Sequence, residues 1–257
     1  DKYPERYAVG ETFMSTMKMA ADYCGEGKLH ATFDFSMLWN KWNPDAFLKS
    51  IQKWESAISP DAWPTYVLNN HDNKRSATRF KAPEDDERLK VAAGLLLTLR
   101  GTPFLYAGEE IGMRDIKVKR AEIQDPVGKH YWPINVGRDG CRSPMQWNAE
   151  TNAGFTTGTP WLKVHPNHLS RNVDAQLKDP GSLLNFYRKL LKVRREVPAL
   201  HRGSFMAITF NPQRVLGYIR QDGSQTVLIA LNFGRRKVRL ALGDFLQNAQ
   251  WELVLSN

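Results

Sequence analysis

The sequence predicts an α/β fold built on a parallel sheet, followed by a small antiparallel β domain. Three observations carry this. Four short segments rich in apolar and aromatic residues recur along the first hundred residues: Arg6–Thr12, Leu29–Ser36, Thr65–Asp72 and Thr102–Glu109. Helical patterns alternate with them over Thr12–Tyr23, Pro44–Ile58, Glu84–Leu99 and, further on, Ser182–Val197. Strand–helix alternation of this kind places strands side by side in parallel, with helices covering the sheet. After Gly203 the period becomes two, over Phe205–Phe210, Val215–Arg220 and Thr226–Phe233, with Gln221-Asp222-Gly223-Ser224 as a turn signal.

The helices carry their own punctuation. Asn43-Pro44 is an N-cap followed by proline at the first helical position. Behind Pro83, the residues Glu84, Asp85, Asp86 and Glu87 fill a first turn, where carboxylates favour the helix dipole. The last predicted helix starts at Asp179-Pro180-Gly181-Ser182 and ends with Arg194 and Arg195. Between Gly112 and Gly181 no period is sustained. The aromatic content of that stretch (Trp132, Trp147, Phe155, Trp161) argues for an ordered excursion rather than disorder. The division expected is residues 1–202, with a long loop at 112–181, and residues 203–257.

Composition excludes several function classes. The 257 residues hold 36 Lys+Arg against 27 Asp+Glu, a net charge of +9, with ordinary apolar content. The basic residues concentrate in Arg188–Arg202 and Arg235–Arg239. The first cluster shares a helix with Leu183, Leu184, Tyr187, Leu190 and Leu191, so it reads as a solvated helical face rather than a nucleic-acid surface. The longest apolar run, around Val91–Leu99, is too short for a membrane span. Cys24 and Cys141 make neither a disulfide framework nor a zinc site, and no metal or cofactor is implied.

In a parallel α/β sheet the chemistry lies at the carboxyl ends of the strands. Those ends carry Glu11, Asp34, Asn70-His71-Asp72 and Glu109-Glu110. Paired carboxylates beside a histidine and loop aromatics suit glycosidic bond cleavage, in which one acid protonates the leaving oxygen and others steady an oxocarbenium-like centre. Taken singly, Glu11 also reads as a helix cap, His71 as a structural histidine, and Glu109 and Glu110 as solvated loop charges. Their joint occurrence at successive strand ends favours function.

The segments AVGET (Ala8–Thr12), VLNNHD (Val67–Asp72), GTPFLYAGEEIGM (Gly101–Met113) and GRDGCRSPMQWN (Gly137–Asn148) resemble glycoside hydrolase family 13, the α-amylase family. The likeness is to its α-glucosidase and oligo-1,6-glucosidase branch. It continues through NAGFTTGTPWLKV (Asn152–Val164) and RKLLKVRREVPAL (Arg188–Leu200). The resemblance implies that Glu11 is the general acid/base on the fifth strand of a barrel. It implies that Asp72 binds sugar hydroxyls and stabilises the transition state, with His71 as a neighbouring hydroxyl ligand. Arg142 resembles the arginine that holds a terminal glucose, and Arg138 and Arg79 are candidates for supporting contacts. Trp147 and Phe155 read either as platform or wall residues or as anchors of their own loops.

The resemblance also implies the fold: half of a (β/α)8 barrel, strands five to eight, followed by a partial antiparallel β-sandwich. The family's GFRxD motif, which carries its nucleophilic aspartate, has no counterpart here. Half a barrel leaves two sheet edges open, so closure is expected from a second copy, as a homodimer, or from a complementing N-terminal fragment. In a dimer Glu109 or Glu110 of one copy would approach Glu11 of the other as a substitute nucleophile. The expected substrate is an oligosaccharide or α-glucoside, with no nucleic acid and no membrane as partner. The competing expectation is a catalytically inert carbohydrate-binding or structural fragment.

Overall fold

The structure, a computed structural model, describes residues 5–14, 16–59, 62–210, 214–241 and 250–257. In chain order its elements are β1 (Val9–Gly10), α1 (Met17–Ala21), β2 (Ala31–Asp34), α2 (Pro44–Ala57) and β3 (Thr65–Tyr66). Then come α3 (Ser76–Arg79), α4 (Glu87–Thr98), β4 (Thr102–Pro103), α5 (Pro126–Tyr131) and α6 (Val173–Lys178). The series ends with α7 (Leu183–Glu196), α8 (Pro198–Arg202), β5 (Ser204–Thr209), β6 (Val215–Asp222) and β7 (Gln225–Asn232). The chain forms two compact units, residues 1–67, 94–104 and 191–256 in the first, and 68–93, 105–190 and 257 in the second. That division is not the linear one at Arg202, because the parallel and antiparallel sheets fall in the same unit.

The first unit holds four parallel strands in the order β1-β2-β3-β4. Register pairs Val9 with Ala31, Phe33 with Thr65, and Thr65 with Thr102. The strands are shorter than their apolar runs predict. The β3–β4 ladder consists of Thr102 N–H to the Pro64 carbonyl at 2.9 Å and Phe104 N–H to the Tyr66 carbonyl at 3.3 Å. Asn43 caps α2 as its sequence predicts, accepting from Ala46 N at 3.0 Å. Phe47, Ile51 and Trp54 on that helix are buried.

The antiparallel sheet, in the order β5-β6-β7, belongs to the same unit. Asp222 pairs with Gln225, leaving Gly223-Ser224 as a two-residue loop with Gly223 at φ 55°. Two buried arginines tie this unit together. Arg220, wholly buried, donates to the carbonyls of Ser204 (2.9 Å), Thr98 (2.7 Å), Leu200 (3.1 Å) and Gly203 (2.8 Å). Arg194 donates to the carbonyls of Leu97 (2.6 Å), Leu99 (3.0 Å) and Gly101. These carbonyls lie at and just past the C-terminus of α4, where a helix leaves acceptors without an internal partner. Arg194 is thus the exception to the expected solvated basic face of α7, on which Arg188, Lys189, Lys192 and Arg195 are exposed, along with Leu191 and Glu196.

The second unit is the ordered excursion, and polar side chains hold it. The carboxylates expected in the first turn of α4 are used otherwise. Asp86 takes φ 62°, which starts the helix only at Glu87. Asp85 accepts from Glu87 N, while Glu84 and Asp86 bind Arg171 at 2.9 and 3.0 Å. Arg171 also donates to the Ile111 carbonyl at 3.0 Å, as does Gln176 at 2.9 Å. Gln146, wholly buried, donates to the Arg171 carbonyl and to Asn167.

Candidate functional site

Four of the residues singled out in the sequence meet in the second unit. Asn70 Oδ1 accepts the Asp72 N–H at 3.0 Å and the Asn73 amide at 2.9 Å, which fixes the turn that presents His71 and Asp72. Asp72 Oδ1 accepts from Arg142 Nη2 at 2.7 Å and from Arg138 Nη1 at 3.1 Å. His71 Nε2 lies 3.5 Å from the same oxygen. Arg142 Nε donates back to the His71 carbonyl at 2.8 Å, and Cys141 Sγ reaches that carbonyl at 3.3 Å. Every described contact of the Asp72 carboxylate falls on Oδ1. Its side chain is 35% exposed.

The segment Gly137-Arg138-Asp139-Gly140 explains this arrangement from its residues. Gly137 has φ 75°, and a Cβ there would come 2.9 Å from Asp125 Oδ2. With glycine in place, the Arg138 N–H reaches Asp125 Oδ2 at 2.7 Å. The Arg138 guanidinium then grips Asp125 with Nε to Oδ2 at 2.9 Å and Nη2 to Oδ1 at 3.0 Å, and its remaining Nη1 is aimed at Asp72. Asp139, wholly buried, accepts the backbone N–H groups of Gln124 (2.6 Å) and Asp125 (3.0 Å). Arg138 beside it holds the Asp125 carboxyl well below the usual carboxylate range, and Asp125 in turn raises the Arg138 pKa.

In the same unit Glu109 is buried, and Glu110 and Arg79 are partly buried. Glu109 is 7% exposed, and burial pushes its carboxyl up to about 7. It borders a small, partly enclosed cavity of about 10 Å³, lined also by Asn69, Arg75 and Tyr187. Glu110 accepts the Gly108 N–H at 2.8 Å, and burial raises its carboxyl too. The Arg79 guanidinium donates to the Leu68 carbonyl, with burial lowering its pKa to about 10. A buried carboxyl that favours its neutral form is a poor nucleophile. Glu109 therefore lies among buried groups, and Arg79 is committed to a backbone carbonyl.

Trp147 and Phe155 are about half exposed. Their loop is held by other groups: the N–H groups of Trp147 and Asn148 donate to the Ala153 carbonyl at 2.9 and 3.2 Å, and Asn152 and Ala153 take left-handed φ values near 55°. The rings therefore do not serve as the loop's buried anchors.

The first unit carries Glu11, exposed and directly following β1. Thr12 Oγ1 next to it bonds Thr32 Oγ1, and Thr32 Oγ1 donates to the Gly10 carbonyl at 3.1 Å. A half-open pocket of about 210 Å³ begins at Thr12 and is lined by Phe13, Phe33, Asp34, Phe35 and Trp39, among others. Phe13 and Trp39 are 77% and 64% exposed. Asp34 is buried and accepts from Ser36 N and Oγ, both at 2.8 Å, and burial pushes its carboxyl up to about 6.

Sequence reasoning missed Asp125, Asp139 and Cys141 as members of the Asp72 cluster. The signal available was the Gly-Arg-Asp-Gly spacing, in which glycine on each side marks a backbone approach. The partner carboxylate, 13 residues upstream, has no local mark beyond its place before Pro126.

Comparison with known proteins bears on this arrangement. The alpha-amylase catalytic-domain family matches residues 1–203. A probable alpha-glucosidase of Rhizobium meliloti (strain 1021) is 33% identical over 238 residues, covering 90% of this chain and 43% of that protein. A probable oligo-1,6-glucosidase 2 of Bacillus subtilis (strain 168) is 36% identical, over 82% of this chain and 41% of that protein. Among solved structures, the alpha-glucosyl transfer enzyme XgtA superposes with a TM-score of 0.85 at 35% identity, covering 91% of this chain and 44% of that one. The isomaltulose synthase SmuA of Protaminobacter rubrum gives 0.85 at 28% identity, over 95% and 50%. The chain thus spans half or less of the length of these relatives. With the family matched over most of its residues and relatives above 30% identity across more than four-fifths of it, the chain belongs to the alpha-amylase family, glycoside hydrolase family 13.

Proposed function

We propose that this chain supplies the acid/base and sugar-binding carboxylates of a retaining α-glucosidase or transglucosidase, acting on α-glucosidic bonds of malto- or isomalto-oligosaccharides. The observation that carries the reading is Asp72: two guanidinium groups and His71 gather at Oδ1 of a carboxylate that is 35% exposed. Arg142 and Arg138 aim this carboxylate, as binding an oxocarbenium-like centre requires. Glu11, exposed after β1, is the proton donor to the leaving oxygen. Trp147 and Phe155, exposed on a loop that other groups hold, are platform residues. The substrate class comes from the relatives, which include probable alpha-glucosidases and oligo-1,6-glucosidases.

Strands β1 to β4 take the places of barrel strands five to eight, and the antiparallel sheet takes the place of the appended domain. Among the described residues β1 pairs only with β2, and β4 only with β3. A second copy or a complementing N-terminal fragment completes the barrel at those edges and brings the carboxylate that acts as nucleophile, within about 5–5.5 Å of the acid/base. The burial of Glu109 favours a second reading, in which the chain binds sugar without turnover. Nitrophenol release from p-nitrophenyl α-glucoside by the purified protein separates the two. Turnover that drops about 100-fold or more in both Glu11→Gln and Asp72→Asn supports the enzyme reading. Turnover unchanged by these substitutions refutes the residue roles, and sugar binding without turnover selects the second reading. Sedimentation reports whether a second copy is present.

A further inference from the structure

We infer that Asp125 is a positioning residue for the Asp72 site: it holds Arg138 so that one guanidinium nitrogen is committed to Asp72 Oδ1. The inference deepens the proposed function and rests on the reading of Asp72 as the sugar-binding carboxylate.

Three of the four groups that Asp125 accepts belong to one residue: Arg138 N (2.7 Å), Nε (2.9 Å) and Nη2 (3.0 Å). The fourth is Val127 N at 3.2 Å, which makes Asp125 also the N-cap of α5. The Asp125 side chain is wholly excluded from solvent, whereas that of Arg138 is 37% exposed. An arginine that open has many rotamers, and a fork docked on a fixed carboxylate removes most of them. The carboxylate is itself fixed, because Asp139 clamps the backbone N–H groups of residues 124 and 125. Fixation therefore runs from the buried Asp139 to Asp125, from Asp125 to Arg138, and from Arg138 to Asp72.

Charge follows the same chain. Asp72 and Asp125 are two carboxylates against the two guanidiniums of Arg138 and Arg142. Removing the Asp125 charge leaves one cation in excess, so Asp72 is drawn toward Arg138 instead of toward substrate. Asp125 touches no sugar in this account. It acts only through Arg138.

The test is a double-mutant cycle on the full chain, read by calorimetric binding of the glucose-configured iminosugar 1-deoxynojirimycin. Asp125→Asn, nearly isosteric, is expected to weaken binding about 10- to 100-fold when Arg138 is present. It is expected to have no further effect in an Arg138→Met background. Arg138→Lys, which keeps the charge but has no fork to span both carboxylates, is expected to show a similar loss. Equal cost of Asp125→Asn in both backgrounds means that its role is only to cap α5, and this overturns the proposal. So does full affinity in either Asp125→Asn or Arg138→Lys. Hydrogen exchange at Arg138 Nε–H, read by NMR, separates the proposal from the reading beneath it. If the unmodified chain does not bind the iminosugar, the sugar reading of Asp72 fails. Faster Nε–H exchange in Asp125→Asn then still supports the hold on Arg138, and unchanged exchange refutes it.

Discussion

Two pairs of arginines set the two units of this chain apart. In the first unit Arg194 and Arg220 are buried and donate only to backbone carbonyls, seven bonds between them. In the second unit Arg138 and Arg142 are partly exposed and converge on a carboxylate. Burial lowers the pKa of the first pair, Arg220 to about 10, whereas Asp125 raises that of Arg138. The same side chain is a structural bolt where its acceptors are neutral and satisfied. It becomes a component of a site where its acceptor is a partly exposed charge. The type of acceptor and its remaining capacity separate the two roles, and the presence of arginine alone does not.

The contrast breaks most readily at Arg220. Arg220→Ala strands the carbonyls of Thr98, Leu200, Gly203 and Ser204 in the interior of the first unit. The expected loss is about 3–5 kcal/mol in urea unfolding, the range for removing one side of a buried polar network. A loss under about 1 kcal/mol would show that water replaces the guanidinium and that the bolt is unnecessary.

Next in size is Glu109, whose carboxyl is raised to about 7 by burial, from an ordinary value of 4.5. Between these values the native state holds a proton that the unfolded chain has released. The stability from this group is complete below about pH 4.5 and is lost as pH rises through 7. Glu109→Gln should abolish that slope and stabilise the protein above pH 7 by about 2–3 kcal/mol relative to the parent. Urea midpoints from pH 5 to 8 measure it, and an unchanged pH slope in the variant contradicts the assignment. Asp125, held low by Arg138, works in the opposite sense, its contribution fading as pH falls below the usual carboxylate range.

The unequal legibility of the two units has the same root. Alternating strands and helices gave away the first unit because its core is periodic, as with Phe47, Ile51 and Trp54 on α2. Strand lengths were less legible, since the apolar pattern runs on to residue 109 whereas β4 spans Thr102–Pro103. The second unit showed no period because Arg171, Gln146, Gln176 and Asp139 hold it through backbone acceptors and donors, which have no sequence signature. Asp72, His71 and Arg142 were found by motif, and Arg138 with them. Asp125 was not, because a contact between residues 13 apart across an irregular loop depends on backbone geometry. The burial of Glu109 was not legible, because position after a strand does not reveal whether a carboxylate faces outward.

Asp72→Asn sharpens the comparison from the side of the site. Arg138 keeps Asp125 as partner and Arg142 keeps the His71 carbonyl, so neither guanidinium is stranded. The stability change should stay within about 1 kcal/mol, as for partly exposed pairs, while turnover or sugar binding drops far more. A loss of stability on the scale of Arg220→Ala would make Asp72 a bolt as well, and the distinction between the two arginine pairs would fail.

The smallest effect belongs to an ion pair that is neither bolt nor site. Arg202 Nε lies 2.8 Å from Asp222 Oδ2, closer than the 2.9 Å from Arg138 Nε to Asp125 or from Arg220 Nε to Ser204, yet the arginine side chain is 72% exposed. Water competes for both partners, and ordering a long side chain at the surface costs entropy that the attraction barely offsets. Arg202→Ala should therefore change stability by less than about 0.5 kcal/mol and move the thermal midpoint by no more than about 2 °C. Distance alone would rank this pair with the buried ones. A shift several times larger would mean that separation outweighs exposure, and burial would no longer distinguish the arginines that hold the fold from those that do not.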